Sequence, residues 1–151
     1  MLGAGYLTEH CKITKLADHT AAGTTDVNGA SVDMAEEGGY DGVVFFTSFG
    51  TAAADNLLKA QQSSDDGSAD SFGDLEGTGV VSGASPSNED VILDIVRPTK
   101  RYVRPVAVVD TSSTIESIWA IRYRSRDRAV SNSVSGTQIC EQHSSPAEGT
   151  A

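Results

Sequence analysis

The residues whose types could do chemistry are few and lie far apart. His10 stands beside Cys11, and Cys140 is followed three residues later by His143, so the two ends of the chain together hold the ligand types of a Cys2His2 zinc site. Such a site needs the ends to meet, and neither cysteine belongs to a closely spaced pair. The residues read instead as terminal polar positions without a ligand, and two free thiols are expected of a cytosolic product. His10, His19 and His143 fall in segments too polar to hold a catalytic geometry, so no catalytic residue is assigned. Asp65, Asp66 and Asp70 surround Gly67, and clustered carboxylates can hold calcium. Their spacing differs from that of an EF-hand, and Asp-Gly is turn chemistry. Gly3-Ala4-Gly5 and Gly77-Thr78-Gly79 neither continue into a phosphate-binding pattern nor open a helix. The chain is therefore expected to be no enzyme and to carry no metal or cofactor.

Charge is more informative. Eleven Lys and Arg against twenty-one Asp and Glu give a net charge of -10 over 151 residues, which opposes binding to nucleic acid or to an anionic membrane. Eight of the eleven basic residues lie between 97 and 128 with only three acidic ones, a net of +5 against -15 for the rest. A bipolar chain suits docking of copies onto each other or onto an oppositely charged scaffold, and Arg101, Arg104, Arg122, Arg124 and Arg126 are the candidate contact residues. The alternative is a solvated strand face whose arginines pair internally with the acidic loops. Aromatic interleaving is too thin for a nucleic-acid platform. No apolar stretch is long enough for a membrane span and no basic-then-apolar leader is seen, so a soluble, unexported chain is expected.

These residues must be positioned by strands. Val43 to Phe49, bounded by Gly38-Gly39 and Gly50, is a β-prone run; the segment from Asn56 to Gln62, the turn at Asp66-Gly67 and the stretch 74–81 read as a hairpin. Val91 to Val96 and the run from Lys100 to Val109 are further strands, the second with Pro105 at an edge, bulge or unpaired position. Alternation over 115–126 predicts Ile115, Trp119, Ile121 and Tyr123 on a core face, with Glu116, Arg122, Arg124 and Arg126 in water. Residues 1–39 read as an extended arm with one short strand, 40–130 as the core, and 131–151 as a polar tail. Leu2, Tyr6, Leu7, Ile13 and Leu16 are apolar anchors that could reach a neighbouring chain or pack as a strand on their own sheet. The whole predicts an all-β chain, an antiparallel β-sandwich of jelly-roll-like type.

The blocks Tyr40 to Phe46, Gln61 to Ser68, Lys100 to Val106 and Ile121-Arg122-Tyr123, in that order, resemble the small head-decoration (cement) virion proteins of tailed bacteriophages. The resemblance spans about residues 40–128 and rests on turn and strand sequences; Pro105 and the long ends depart from it. It implies a structural protein made in the host cytoplasm that binds the outside of the major capsid protein lattice. Its copies are expected to form a homo-trimer, with no membrane and no direct nucleic-acid contact. Two other readings stand beside it: a head-tail joining, tail or fibre-base component, and a carbohydrate-binding module using Trp119, Tyr102 and Tyr123 for stacking. The predicted core position of Trp119 weighs against the last.

Overall fold

A computed structural model describes residues 5–83, 87–126, 130–144 and 147–148. The described chain is an all-β sandwich of two antiparallel sheets packed on one another. The strands are β1 (Lys12–Ala17), β2 (Thr20–Gly23), β3 (Val27–Asn28), β4 (Val32–Asp33), β5 (Gly42–Phe49) and β6 (Leu57–Ser63). They continue as β7 (Gly73–Asp74), β8 (Val80–Val81), β9 (Glu89–Val96), β10 (Tyr102–Val108), β11 (Ser113–Ile115) and β12 (Ile118–Tyr123). Several short strands are halves of one interrupted strand. In the first sheet β5 is central, with β9 on one side and β12 and β11 on the other; β1 and β2 lie outside those. In the second sheet β10 and β6 pair along their length, β3 and β4 flank β10, and β7 and β8 flank β6. No helix among the described residues is long and apolar enough to cross a membrane.

The period-2 pattern of β5 sends Val43, Phe45 and Phe49 into the core beside Leu58, Val103, Ile115 and Ile118. Each such side chain contributes about 1.5–3 kcal/mol of apolar burial. The Asp66-Gly67 hairpin forms as expected, with both residues at positive φ (63° and 81°). Its return strand is broken between β7 and β8, and the Thr78 hydroxyl fills the break, accepting from the Ala60 amide at 3.2 Å and donating to the Leu75 carbonyl at 2.8 Å. Pro105 lies not at an edge but in β10, a central strand. Its missing N–H costs nothing because it falls opposite the gap between β3 and β4, where only the Gly29 amide approaches, donating to the Pro105 carbonyl at 2.9 Å. A side chain on Gly29 would come within 2.7 Å of the proline ring.

The first forty residues differ from the expected arm. They carry four strands rather than one, shared between both sheets, and Leu16 and Val32 join the core. β2, β3 and β4 are short and polar, so their pairing depends on partners distant in sequence. The start of the predicted tail is likewise built in. Asn132 is buried: its Oδ1 accepts from the Ile13 amide at 2.6 Å and its Nδ2 donates to the carbonyls of Thr8 and Cys11, both at 2.8 Å. Gln138 donates to the Ile13 carbonyl at 2.9 Å, so two side chains cap the outer edge of β1 where a further strand would pair.

Candidate functional site

The two sheets present opposite outer faces. That of the second sheet is polar and satisfied by its own residues. Arg104 donates twice to Gln61 Oε1 at 2.9 and 2.7 Å, and its guanidinium lies 4.2 Å from the Phe72 ring. Asp74 takes Lys59 and Gln61, each at 2.7 Å, and Arg101 forks onto Asp33 at 2.9 and 2.7 Å.

The outer face of the first sheet is apolar. Register places Lys15, Trp119, Phe46 and Ile92 in one row across four strands, with Ile13, Ile121, Val44 and Asp94 in the next and Tyr123, Gly42 and Val96 in a third. Ile92 and Val96 are each 64% exposed, and Phe46, Trp119 and Tyr123 are half-buried. At a strand spacing of ~4.8 Å and a same-face repeat of ~6.8 Å these rows cover roughly 400 Å². Most of that area is apolar, with Lys15 at one end and the exposed Asp94 within it, and apolar patches of roughly a few hundred Å² often mark interaction sites. Its surroundings are charged. Asp94 accepts the Tyr123 hydroxyl at 2.7 Å, and Asp90 accepts from Ser48. Beyond the third row stand Arg97 and Arg124, both exposed, at φ 51° and 54° just past the ends of β9 and β12. Neither forms an ion pair among the described residues.

This face inverts the expected phase of β12. Ile118, Ala120 and Arg122 point inward, whereas Trp119, Ile121 and Tyr123 point outward. The inner slots are shaped from across the sheet: Ala120 is opposite Phe45, which leaves no room for an indole. Arg122, only 4% exposed, is part of the interior instead of a wet face. Its Nη1 donates to the Asp33 carbonyl at 2.7 Å and to Glu36 at 2.6 Å, and the guanidinium lies 4.7 Å from the Tyr40 ring. It bolts β12 to β4 across the sandwich and is no contact residue.

The other candidates scatter. Leu2 lies outside the described residues. Leu16 is consumed by the core, Ile13 belongs to the apolar face, and Tyr6 holds Ser144 at 2.9 Å. Leu7 is 70% exposed. Arg101 and Arg104 are engaged within the chain, Arg126 reaches Asp41 at 3.7 Å, and Arg124 is exposed just past the end of β12. Internal pairing thus accounts for much of the basic segment.

The residues with chemical potential are occupied otherwise. Asp65 accepts the amides of Ser68, Ala69 and Asp70 at 3.1, 2.7 and 3.0 Å, and these bonds hold its carboxyl below the usual range. Lys100 at 2.7 Å, aided by the Ser64 amide and hydroxyl, lowers Asp70 to about 2. These carboxylates organise the hairpin loop. His19 meets Glu116 and His143 meets Glu141, at 3.1 and 3.2 Å. Cys11 and Cys140 are unbridged; Cys11 is buried, which pushes its thiol up. No family model, curated protein or solved structure matches the chain.

Proposed function

We propose that this chain is a structural protein of a virion, a capsid decoration protein that docks on the outside of the major capsid lattice through the outer face of the first sheet. The observation that carries the reading is the contrast between the sheets: one outer face is closed by its own polar network, the other exposes Trp119, Phe46, Ile92, Ile121 and Val96 beside two arginines that form no ion pair among the described residues. The face covers about half of the roughly 800 Å² that each partner of a stable one-to-one complex buries. A patch of that size binds weakly alone and firmly when several copies engage a repeating surface together, as in a trimer on a shell. Arg97 and Arg124 select a shell surface with carboxylates at one end of an apolar patch. The resemblance over residues 40–128 to phage head-decoration proteins points the same way.

The test is the copy number of the chain in purified particles by quantitative mass spectrometry against the major capsid protein. A ratio near one to one, or one trimer per local three-fold, supports decoration; about a dozen copies would assign a connector or tail position instead. The outward Trp119 favours one second reading, a carbohydrate-stacking module, with Tyr123 two rows away on the same face. Absence from particles together with glycan binding lost in Trp119→Ala would establish it.

A further inference from the structure

β9 is a long open edge of the sandwich. It runs for eight residues and pairs with β5 on one side only. An unpaired strand edge is a template for another strand, and the other edges of this fold are blunted. β3, β4, β7 and β8 are two residues each, β2 is four residues with an irregular register, and Asn132 and Gln138 cap β1. The Arg97 amide donates to the Asp41 carbonyl at 2.8 Å, which sets the phase of the ladder. The odd-numbered residues of β9 thus turn their main-chain groups to β5, and Asp90, Ile92, Asp94 and Val96 turn theirs away. All four are exposed, and among the described residues no main-chain bond is made on that side of the strand.

The side chains of β9 decide what fits there. A second, antiparallel β9 must set its own outward-turned residues against these, so only registers that differ by whole pair-steps are allowed. Centring the pair on Ile92 puts Asp90 directly opposite Asp94 of the other copy, and centring it on Asp94 puts that carboxylate opposite itself. Like charges directly opposite are destabilising. Centring it on Leu93 avoids both clashes, because Asp90 falls opposite Val96 and Ile92 opposite Asp94. The same register brings Arg97 opposite Glu89 at both ends of the paired stretch, and neither residue forms an ion pair among the described residues. Registers displaced further shorten the pairing.

We propose that two copies of this chain associate through an antiparallel β9–β9 pair centred on Leu93, which continues the first sheet from one copy into the other. Opposed residues of an antiparallel pair point to the same side, so the apolar outer faces of the two copies become one. The pair uses the main chain of Ile92 and Val96 and leaves their side chains on that face. This two-fold contact forms between free chains and needs no shell, so its failure leaves the decoration reading standing. It is also compatible with a trimer built through other surfaces.

The experiment reads the register by disulfide trapping. Full-length Ile92→Cys and Asp94→Cys chains, each also carrying Cys140→Ser and one of them 15N-labelled, are mixed and oxidised in air, and intact mass tells the three linked products apart. In the Leu93 register position 92 of one copy faces position 94 of the other at a Cα separation of ~5.5 Å, which a disulfide spans, while like positions meet only on the diagonal, beyond ~7 Å. The mixed product should exceed either like product at least about fivefold, against the roughly twofold of random collision. Sedimentation velocity of the wild type at ~0.15 M salt, where a Debye length of ~8 Å screens the net charge of -10, should show a monomer–dimer equilibrium. Its dissociation constant should be on the order of 10–1000 μM, as suits a contact below the standard interface size. Arg97→Glu should weaken it at least about threefold, and adding Glu89→Arg should restore it. A wild type that stays monomeric at ~1 mM, a random mixture of linked products, or an excess of either like product would overturn the proposal.

Discussion

The Tyr123 hydroxyl reaches over β5 to donate to Asp94 Oδ1 on β9 at 2.7 Å, and Gly42 is what lets it pass. A Cβ at position 42 would occupy the space of the phenol ring. Three strands of the apolar face are thereby tied together by one side chain. Gly42→Ala should destabilise the fold by about 1–3 kcal/mol through overpacking, and Tyr123→Ala in the same chain should recover part of that loss. Urea unfolding of the two singles and the double gives the answer; additive losses would show that the ring and the glycine are not coupled.

The same bond makes an alkaline prediction. Burial first, and the bond to Asp94 second, push the Tyr123 phenol up to about 12. A folded-state value above the unfolded one near 10 means that the stabilisation is complete below pH ~10 and is lost as pH rises towards 12. Tyr40 shifts in the same direction, by burial and by its bond to Glu37. Wild-type stability should therefore fall between pH 10 and 12, and Tyr123→Phe should flatten part of that slope. An unchanged slope in the variant would exclude Tyr123 as a contributor.

At the acid end the hairpin loop takes over. Lys100, and then the Ser64 amide and hydroxyl, hold Asp70 near 2, while Asp33, Asp65 and Asp74 are lowered by Arg101, by loop amides and by Lys59. Depressed carboxyls stabilise above the unfolded value near 4, and that contribution is lost as pH falls from about 4 to 2. The urea midpoint should drop over this window, and less steeply in Asp70→Asn. Equal slopes would mean that the loop is open in solution.

How much of this was legible in the sequence depended on how local the cause was. β5 announces itself by its own alternation and flanking glycines, and the Asp66-Gly67 turn by its two residues. The phase of β12 was not legible, because Ile118 and Ala120 on one side and Trp119 and Ile121 on the other are both apolar. The choice is made by Phe45 filling the slot beside Ala120 and by Glu36, Asp33 and Tyr40 seating Arg122, all distant in sequence. The apolar outer face was hidden for the same reason. Asn132 gave no signal, since one asparagine in a polar segment looks like any other until its bonds to Thr8, Cys11 and Ile13 are seen.

The arginines should separate sharply on mutation. Arg122→Ala removes a buried cation with its bonds to Asp33 and Glu36, and should cost about 2–4 kcal/mol, discounted because Glu36 is half-exposed. Arg124→Ala and Arg126→Ala, both exposed, should stay within about 0.5 kcal/mol. Arg122→Met should be milder than Arg122→Ala, since it keeps the packing on Tyr40. Equal small effects for all three positions would remove Arg122 from the interior.

Asn56 is a comparable anchor at another position. It is fully buried, its Nδ2 donating to Ala53 and Ser113 at 3.0 and 2.8 Å and its Oδ1 accepting from the Asp110 amide at 3.1 Å. Asn56→Ala leaves these groups unpaired and should cost about 2–4 kcal/mol in chemical denaturation. A loss under about 1 kcal/mol would mean that the loops it joins are already solvated.

The most direct test of the proposed docking surface is co-sedimentation of the purified chain with capsid shells that lack it, comparing Ile92→Glu with Arg104→Glu. Ile92 is exposed on the apolar face, so a charge there should leave the fold intact and weaken shell binding by about 10–100-fold, the worth of one buried aliphatic contact. Arg104 lies on the polar face of the other sheet, and its variant should bind within about twofold of wild type. Wild-type binding by Ile92→Glu, with loss in Arg104→Glu, would contradict the account and transfer the interface to the second sheet.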